Sequence, residues 1–305
     1  MKSEEIVIKS QHDDLELGVN LRIPENPVGI VQLVHGMAEH KERYIPFMEY
    51  LAEQGYVVII HDHRGHGASV RSEEDYGYFG ENGIQGLIDD AHQVTQYVRE
   101  RFPDLPLVLF GHSMGSLVVR CYMQQYDLSV DGLVVCGSPS KRFGAGLGGG
   151  GGEFLKLFKG DRHRSKFVNN MAFGGYNKKF KDVVSPNSWI VSDPAVVEAY
   201  DADPRDGFVF TLNGFEVLFS LIKRAYSTKG WGMQNPQAPI LFIAGEEDPC
   251  IIDPKHFTKA VDFMRERGYQ DVKSKLYAGM RHEILNEVGK EAVWRDVNDW
   301  IRKSR

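Results

Sequence analysis

The sequence of 305 residues is poor in cysteine, in cationic charge and in long apolar runs. Its three cysteines, Cys121, Cys136 and Cys250, are too few for a disulfide framework and do not lie at a zinc-ligand spacing. The formal net charge of −6 has the wrong sign for a nucleic-acid-binding protein, so no nucleic-acid partner is expected. No apolar stretch approaches the length of a membrane span, and the N-terminus lacks the apolar core of a signal peptide. We therefore expect a cytoplasmic protein in a reducing compartment.

Short apolar runs alternate with helical patterns along most of the chain. Hydrophobic residues make up 42% of the sequence and charged residues 26%, which is typical of a globular protein. After an opening hairpin (IVIKS, LELGVNLRI), buried strands are predicted at GIVQLVHG, YVVIIH, LVLF, DGLVVCGS, APILFIAG and SKLYAG. Amphipathic helices are predicted between them, including RYIPFMEYLAEQG, GLIDDAHQVTQYVRERF, residues 254–267 and KEAVWRDVNDWIRK. This alternation predicts an α/β fold with a parallel sheet covered on both faces.

The alternation stops in the middle of the chain. Between residues 140 and 235 no buried strand is evident, and GAGLGGGGG at 144–152 has seven glycines in nine residues. A helical pattern, GFEVLFSLIKRAY, returns near the end of this region. We therefore predict a core formed by residues 1–139 and 236–305, with 140–235 inserted as a helical lid.

One serine lies where a predicted strand meets a predicted helix. Ser113 follows the strand that includes Leu107 and Phe110, and it precedes a run with apolar residues three and four apart. Gly111 and Gly115 flank it in the pattern G-x-S-x-G, which is typical of a sharp turn that exposes a nucleophile. A serine that only helps to form a turn is the alternative, and partner residues must decide between them.

A serine hydroxyl needs a base within hydrogen-bond distance, and the base needs a group that orients it. His282 follows the predicted strand SKLYAG and is the candidate base, whereas His163 lies in the insertion and His256 begins a helix. Asp248 follows APILFIAG and is the candidate acid, with its neighbours at 246 and 247, both glutamates, as competitors. The candidates come in the order Ser113, Asp248, His282, which is the order expected when the nucleophile lies in a G-x-S-x-G turn between a strand and a helix.

An oxyanion hole requires two backbone N–H groups close to the serine. One is expected from Met114, the residue after the serine, at a helix N-terminus that favours negative charge. The other is expected from Met37 in the loop HGMAEH, which follows the first parallel strand. The alternative for that loop is an ordinary exit from a strand.

The serine turn, the acid, the histidine and the oxyanion loop together resemble those of the α/β-hydrolase superfamily. The resemblance extends to DHRGHGAS, which is similar to the D-x-R-G-x-G-x-S loop, and to GEEDPCI, which is similar to G-x-x-D-x-x-V. HGMAEH, GHSMG and GMRHEILNE resemble more narrowly the monoacylglycerol lipase and lysophospholipase (serine aminopeptidase-like) branch. The resemblance implies an eight-stranded, mostly parallel sheet with a lid. It also implies a serine ester hydrolase acting on an acyl lipid through an acyl-enzyme, without a cofactor.

From the residues alone, two other functions remain possible. An aminopeptidase of the same fold needs carboxylates to hold a free amino group, and the insertion offers Glu198, Asp201, Asp203 and Asp206. A hydrolase-fold receptor that binds a small molecule with little turnover is the second. A metal site in HDHRGH is set aside, because that stretch fits the hydrolase loop better.

The insertion also combines positive charge with apolar residues. Residues 153–181 hold eight cationic side chains against two acidic ones. This pattern favours a solvated surface or transient contact with an anionic membrane. The aromatic side chains of the insertion are expected either to line an acyl groove or to form the insertion's own core: Phe154, Phe158, Phe208, Phe210, Phe215 and Phe219. The sequence does not indicate an oligomeric state.

Overall fold

The computed structural model describes residues 1–141 and 158–304. In this part of the chain eight strands form one sheet: β1 (Lys2–Lys9), β2 (Glu16–Ile23), β3 (Gly29–Val34), β4 (Tyr56–His61), β5 (Leu107–His112), β6 (Gly132–Cys136), β7 (Ile240–Gly245) and β8 (Val272–Tyr277). The strand order is β1-β2-β4-β3-β5-β6-β7-β8, in which β2 pairs antiparallel with β1 and β4 and all other pairs are parallel. The predicted eight-stranded, mostly parallel sheet is confirmed.

Helices cover both faces of the sheet. Within the described residues they are α1 (Ile45–Glu53), α2 (Gly83–Arg101), α3 (Met114–Tyr126), α4 (Lys166–Phe173), α5 (Pro194–Ala202), α6 (Leu212–Ala225), α7 (Pro254–Arg267) and α8 (Lys290–Lys303). Apolar residues of α1 and α8 pack with one face of the strands, and those of α2, α3, α6 and α7 pack with the other. Because both faces are covered, every residue of β3, β4, β5 and β7 is buried, which explains their continuous apolar runs.

Local signals fix the ends of α7. The Asp253 side chain accepts a hydrogen bond from the His256 N–H at 2.8 Å, and Pro254 occupies the first helical position. Gly268 ends the helix with φ of 110°, a left-handed conformation that favours glycine. The predicted bounds of α7 and α8, 254–267 and 290–303, are those of the structure.

The inserted segment has helices but no strand in residues 140–141 and 158–235. Its last helix, α6, packs against α2 and α3 and contributes Phe215, Leu218 and Leu221 to the main apolar cluster. A smaller cluster around Ile190 and Tyr200 holds the middle of the segment together. The glycine-rich stretch 144–152 and Phe154 lie outside the described residues, and the division into core and lid stays a prediction.

No helix in the described chain has both the length and the apolarity needed to cross a membrane. The three cysteines are buried free thiols, as expected for a chain without a disulfide framework.

Candidate active site

Ser113 occupies a strained turn between β5 and α3. Its φ and ψ are 53° and −119°, a conformation that residues other than glycine rarely adopt. The two flanking glycines are required by close packing, because a Cβ on Gly111 would approach the Gly115 carbonyl oxygen to 2.5 Å and a Cβ on Gly115 would overlap the Val34 carbonyl oxygen. The Ser113 N–H donates to the Cys136 carbonyl at 2.9 Å, which ties the turn to β6. The predicted strand-to-helix corner is therefore present, with its side chain partly exposed.

The structure brings the three predicted site residues together. The Ser113 Oγ lies 2.8 Å from His282 Nε2, and His282 Nδ1 lies 2.8 Å from Asp248 Oδ2. Asp248 is fully buried and His282 nearly so, and they follow β7 and β8 at the same edge of the sheet as Ser113. Parallel strands end at one edge, which is why residues so distant in sequence meet there.

The structure also separates the other candidates from this cluster. Residues 246 and 247 are exposed, whereas the side chain beside His282 is that of Asp248. His163 is exposed in the insertion, and His256 Nδ1 contacts Asp253 Oδ1 at 2.9 Å at the start of α7. The second oxygen of Asp248 accepts from the Cys250 N–H at 2.7 Å, so both carboxylate oxygens are engaged.

The predicted oxyanion loop lies against the serine. A Cβ on Gly36 would come within 2.9 Å of the Ser113 Cβ, so only glycine fits at this approach. Ala38 has φ of 50° and turns the loop back over the site. Met37 and Met114 both line the cavity that contains Ser113.

A network of buried charged side chains contacts this loop. Glu39 accepts from the Gly36 N–H at 2.5 Å, from the Tyr44 hydroxyl at 2.9 Å and from Arg43 at 3.1 Å. His112 lies between Glu39 Oε1, 3.2 Å from its Nδ1, and the carbonyl oxygen of the triad histidine, 3.3 Å from its Nε2. Two acceptors facing one ring favour the doubly protonated imidazolium.

The pKa values of this pair follow from the same contacts. Burial alone would lower the pKa of His112, but its hydrogen bond to Glu39 and the charge of that carboxylate outweigh burial and raise it. Burial alone would raise the pKa of Glu39, but the bond and charge of His112, together with Arg43, lower it to about 2. The pair is therefore an ion pair near neutral pH.

The site opens into a cavity of about 150 Å³. Apolar side chains form most of its wall, including those of Met37, Phe173, Trp189, Phe208 and Leu218. Polar side chains line it as well, including Glu39, Glu283 and Tyr200. A cavity with both apolar and polar lining suits an amphiphilic molecule.

The aromatic residues of the insertion divide between cavity and core. Phe208 lines the cavity, Phe210 and Phe215 are buried in the main apolar cluster, and Phe219 packs partly against it. Phe158 is 72% exposed. Among the described members of the set, only Phe208 therefore lines the cavity.

Two groups of side chains in the described chain have ligating atoms close enough for a metal ion. One is Asp248, Cys250 and His282, which are the predicted acid and base with a neighbouring thiol, and the other is His40, Asp203 and Asp206. Asp203 and Asp206 already face Arg205 and Arg43, respectively. Burial, and then the charge of the neighbouring carboxylate, raise the pKa of Cys250 well above its usual value, so its thiol stays protonated.

Sequence reasoning missed several residues around the triad: Glu39, Arg43, His112, Arg281, Glu283 and Glu287. Glu283 forms a two-pronged ion pair with Arg43, at 2.6 and 2.7 Å. The available signal was position, because each of these residues lies within six of a predicted site residue.

The fold and this strand–serine–helix turn define the chain as an α/β-hydrolase. The model of the family described as serine aminopeptidase, S33, matches residues 25–289, most of the chain. The protein therefore belongs to that family of hydrolases, and the predicted resemblance is confirmed.

Relatives and solved structures cover nearly the whole chain. A monoacylglycerol lipase of Mycolicibacterium smegmatis is 29% identical over 283 residues, which are 90% of this chain and 89% of the relative. A monoglyceride lipase homolog of monkeypox virus is 34% identical over 297 residues, or 90% of each chain. The crystal structure of a thermostable carboxyl esterase from Bacillus coagulans has a TM-score of 0.89 at 27% identity and covers 99% of both chains.

Proposed function

We propose that the protein is a serine hydrolase of carboxylic esters and that it releases fatty acid from monoacylglycerols or lysophospholipid-like esters. The observation that carries this proposal is the hydrogen-bond chain from Ser113 through His282 to Asp248, at 2.8 Å for each contact, with Ser113 and His282 lining a cavity that has both apolar and polar walls. Relatives named as monoacylglycerol lipases and a neighbouring structure named as a carboxyl esterase support the ester class.

In the proposed reaction His282 takes the proton of Ser113 while Oγ attacks the ester carbonyl carbon. Backbone N–H groups of Met37 and Met114 bind the oxyanion that forms, and Asp248 holds the imidazole tautomer and stabilises the imidazolium. His282 then gives its proton to the leaving alcohol oxygen, which leaves an acyl-enzyme. Water, deprotonated by His282, attacks the acyl carbon and releases the fatty acid and free Ser113.

The cavity supports this substrate class. The apolar side chains of its lining suit an acyl chain, and the polar side chains among them suit a hydroxylated head group. We infer that the insertion acts as the lid of this cavity, because Asn170, Phe173, Trp189 and residues near them line it.

The aminopeptidase alternative is less well supported. Of the candidate carboxylates, Glu198 and Asp201 are exposed and do not line the cavity, while Asp203 pairs with Arg205. Asp206 lies 3.4 Å from Arg43, and burial raises its pKa to about 8, so it carries little charge near neutral pH. A receptor with little turnover would retain the cavity but leave Ser113 unreactive.

The test is an ester chain-length series, from p-nitrophenyl acetate to palmitate with a monoacylglycerol added, on the wild type and on Ser113→Ala. We expect the wild type to prefer medium or long acyl chains and the variant to lose activity by about 10⁴-fold or more. Labelling of Ser113 by a fluorophosphonate separates a slow enzyme from a receptor. A wild type inactive on every ester would refute the proposal.

We further propose that the insertion contacts an anionic membrane surface. Ten large apolar side chains are exposed in the described residues, and five of them fall within 158–184: Phe158, Phe167, Met171, Val183 and Val184. The same stretch holds exposed lysines at 166, 178 and 181. On α4, Phe167 and Met171 are exposed while Asn170 and Phe173 line the cavity, so the apolar surface borders the mouth. Apolar residues with nearby cations are the composition that binds anionic lipid surfaces.

Liposome co-sedimentation tests this contact. Binding to vesicles with anionic lipid at low salt is expected, and it should fall in Lys178→Glu/Lys181→Glu because charge attraction to anionic headgroups reverses. The control is Lys9→Glu/Lys303→Glu, which makes the same charge change on β1 and α8 and should leave binding unchanged. Absence of wild-type binding at low salt would remove the membrane proposal.

A further inference from the structure

The loop that carries His282 is bound to one stretch of the insertion, residues 182–192, here called the wall segment. Arg281, the residue before His282, is buried, and its Nη1 donates to the carbonyl oxygens of Ser188 at 2.6 Å and Val191 at 3.2 Å. Its Nη2 donates to Asp182 Oδ1 at 2.5 Å. A single guanidinium therefore joins three points of the wall segment to the backbone beside the triad.

Two further contacts hold the same pieces together. Glu287 is buried and accepts from the N–H of Arg281 at 2.9 Å and from the N–H and hydroxyl of Ser192 at 2.9 and 2.5 Å. The Glu283 N–H donates to the Ile190 carbonyl at 2.7 Å. Residues on both sides of His282 thus bind the wall segment, so the segment and the histidine loop are positioned together.

The wall segment reaches the reaction site through Trp189. Its ring centroid lies 5.1 Å from that of His282, and the side chain lines the cavity. Ser188, whose carbonyl accepts from Arg281, directly precedes Trp189 in the chain. The Arg281 guanidinium also lies 3.9 Å from the centre of the Phe180 ring, which is a cation–π contact.

We propose that Arg281 is a positioning residue that holds Trp189 against His282 and thereby sets the preference for longer acyl chains. This inference rests on the proposed ester hydrolysis. A planar guanidinium with donors in a fixed fork can serve two carbonyls and a carboxylate at once, which neither a methionine nor a single ammonium does. Without it, the carbonyls of the wall segment lose their buried donor and the tryptophan loses its fixed position.

The consequence differs between substrates. An acetyl group has a single methyl group beyond its carbonyl carbon and therefore offers the wall segment little area to contact. A longer chain has more area to place along the cavity wall to which Trp189 belongs. A misplaced wall therefore weakens transition-state binding of the long chain more than that of the short one.

The experiment compares p-nitrophenyl acetate with p-nitrophenyl octanoate, both as monomers in solution, on wild type and Arg281→Met. Octanoate kcat/KM should fall about tenfold or more relative to active sites counted with a fluorophosphonate, while acetate kcat/KM stays within about threefold. Counting active sites removes any loss through unfolding, which would lower both esters equally. Asp182→Ala, which removes one of the three contacts, should lower the same ratio by a smaller factor.

Arg265→Met is the matched control, because Arg265 also donates to a carbonyl oxygen, that of Val272 at 2.7 Å, and to a carboxylate, but at the junction of α7 and β8. It should leave the octanoate-to-acetate ratio unchanged. If Arg281→Met does not fold, Arg281→Lys is judged by the same ratio.

An unchanged ratio in a folded Arg281 variant would overturn the inference, and so would a wild type without any preference for octanoate over acetate. Octanoate hydrolysis that survives in Ser113→Ala would instead defeat the proposed function.

Discussion

Replacing Asp248 with asparagine tests the proposed triad most directly. The side chain keeps its shape, but the two ends of the amide differ. In the wild type, one carboxylate oxygen of Asp248 accepts from the Cys250 N–H at 2.7 Å and the other faces His282 Nδ1 at 2.8 Å. If the amide oxygen stays with Cys250, the NH₂ group faces Nδ1, which must then be an acceptor. The proton moves to Nε2, and His282 can no longer take the proton of Ser113.

The opposite orientation of the amide is also unfavourable. It restores the working tautomer but points an NH₂ donor at the Cys250 N–H in a fully buried place, which costs about 1–3 kcal/mol for the unpaired donors. In both orientations the negative charge that stabilises the imidazolium is lost. We expect kcat to fall by about 10³- to 10⁴-fold, equal to about 4 to 5.5 kcal/mol of transition-state stabilisation.

The assay is hydrolysis of a p-nitrophenyl ester, together with the rate of fluorophosphonate labelling of Ser113. Labelling also needs the activated hydroxyl and should slow in parallel with turnover. Glu247→Gln is the control, because it makes the same chemical change one residue away on an exposed side chain, and it should keep nearly full activity. The reasoning would be refuted if Asp248→Asn kept activity within about tenfold of the wild type, or if the two variants lost activity equally.

Two further outcomes follow from the surroundings of the serine. His112→Gln removes the partner of Glu39. Because the hydrogen bond to Glu39 and the charge of that carboxylate raise the pKa of His112 above its usual value, the stabilisation is present at about pH 6 and is lost as pH rises through the raised value, so the drop in Tm should be largest at about pH 6 and should shrink above that pKa. Gly115→Ala places a methyl group on carbonyl oxygens at the end of β3 and should cost about 1–3 kcal/mol or more of unfolding free energy in urea. Gly175→Ala, where nothing lies within 4 Å, is its control and should cost far less.

Much of the fold could be predicted because its signals are local. Asp253, Pro254 and Gly268 mark the ends of α7 within a few residues of the helix itself. The strand patterns are continuous because both faces of each central strand are covered. The positions of Ser113 and His282 followed from the rule that functional residues come after the carboxyl ends of parallel strands.

The residues around the triad could not be predicted in the same way. Arg281 looks like an ordinary charged residue in a loop, and its burial depends on a wall segment about ninety residues earlier in the chain. Asp248 was predicted over its two acidic neighbours from its position past the strand, but the inward turn of its side chain is set by its contacts with His282 and Cys250. Such features arise from contacts between distant segments, and the hydrophobic pattern of either segment alone does not contain them.

The carboxylates that line the cavity bear on the choice between ester and peptide substrates. Glu39 and Glu283 are both engaged by Arg43, which makes a two-pronged pair with Glu283. A substrate ammonium would have to displace that guanidinium from a buried site, which leaves a buried charge unpaired. We therefore expect a free amino group to hinder binding. Comparing leucine p-nitroanilide with 4-methylpentanoyl p-nitroanilide, which lacks only the amino group, measures this at constant leaving group. Faster turnover of the amino compound would show that these carboxylates hold an N-terminus and that the peptidase assignment is the better one.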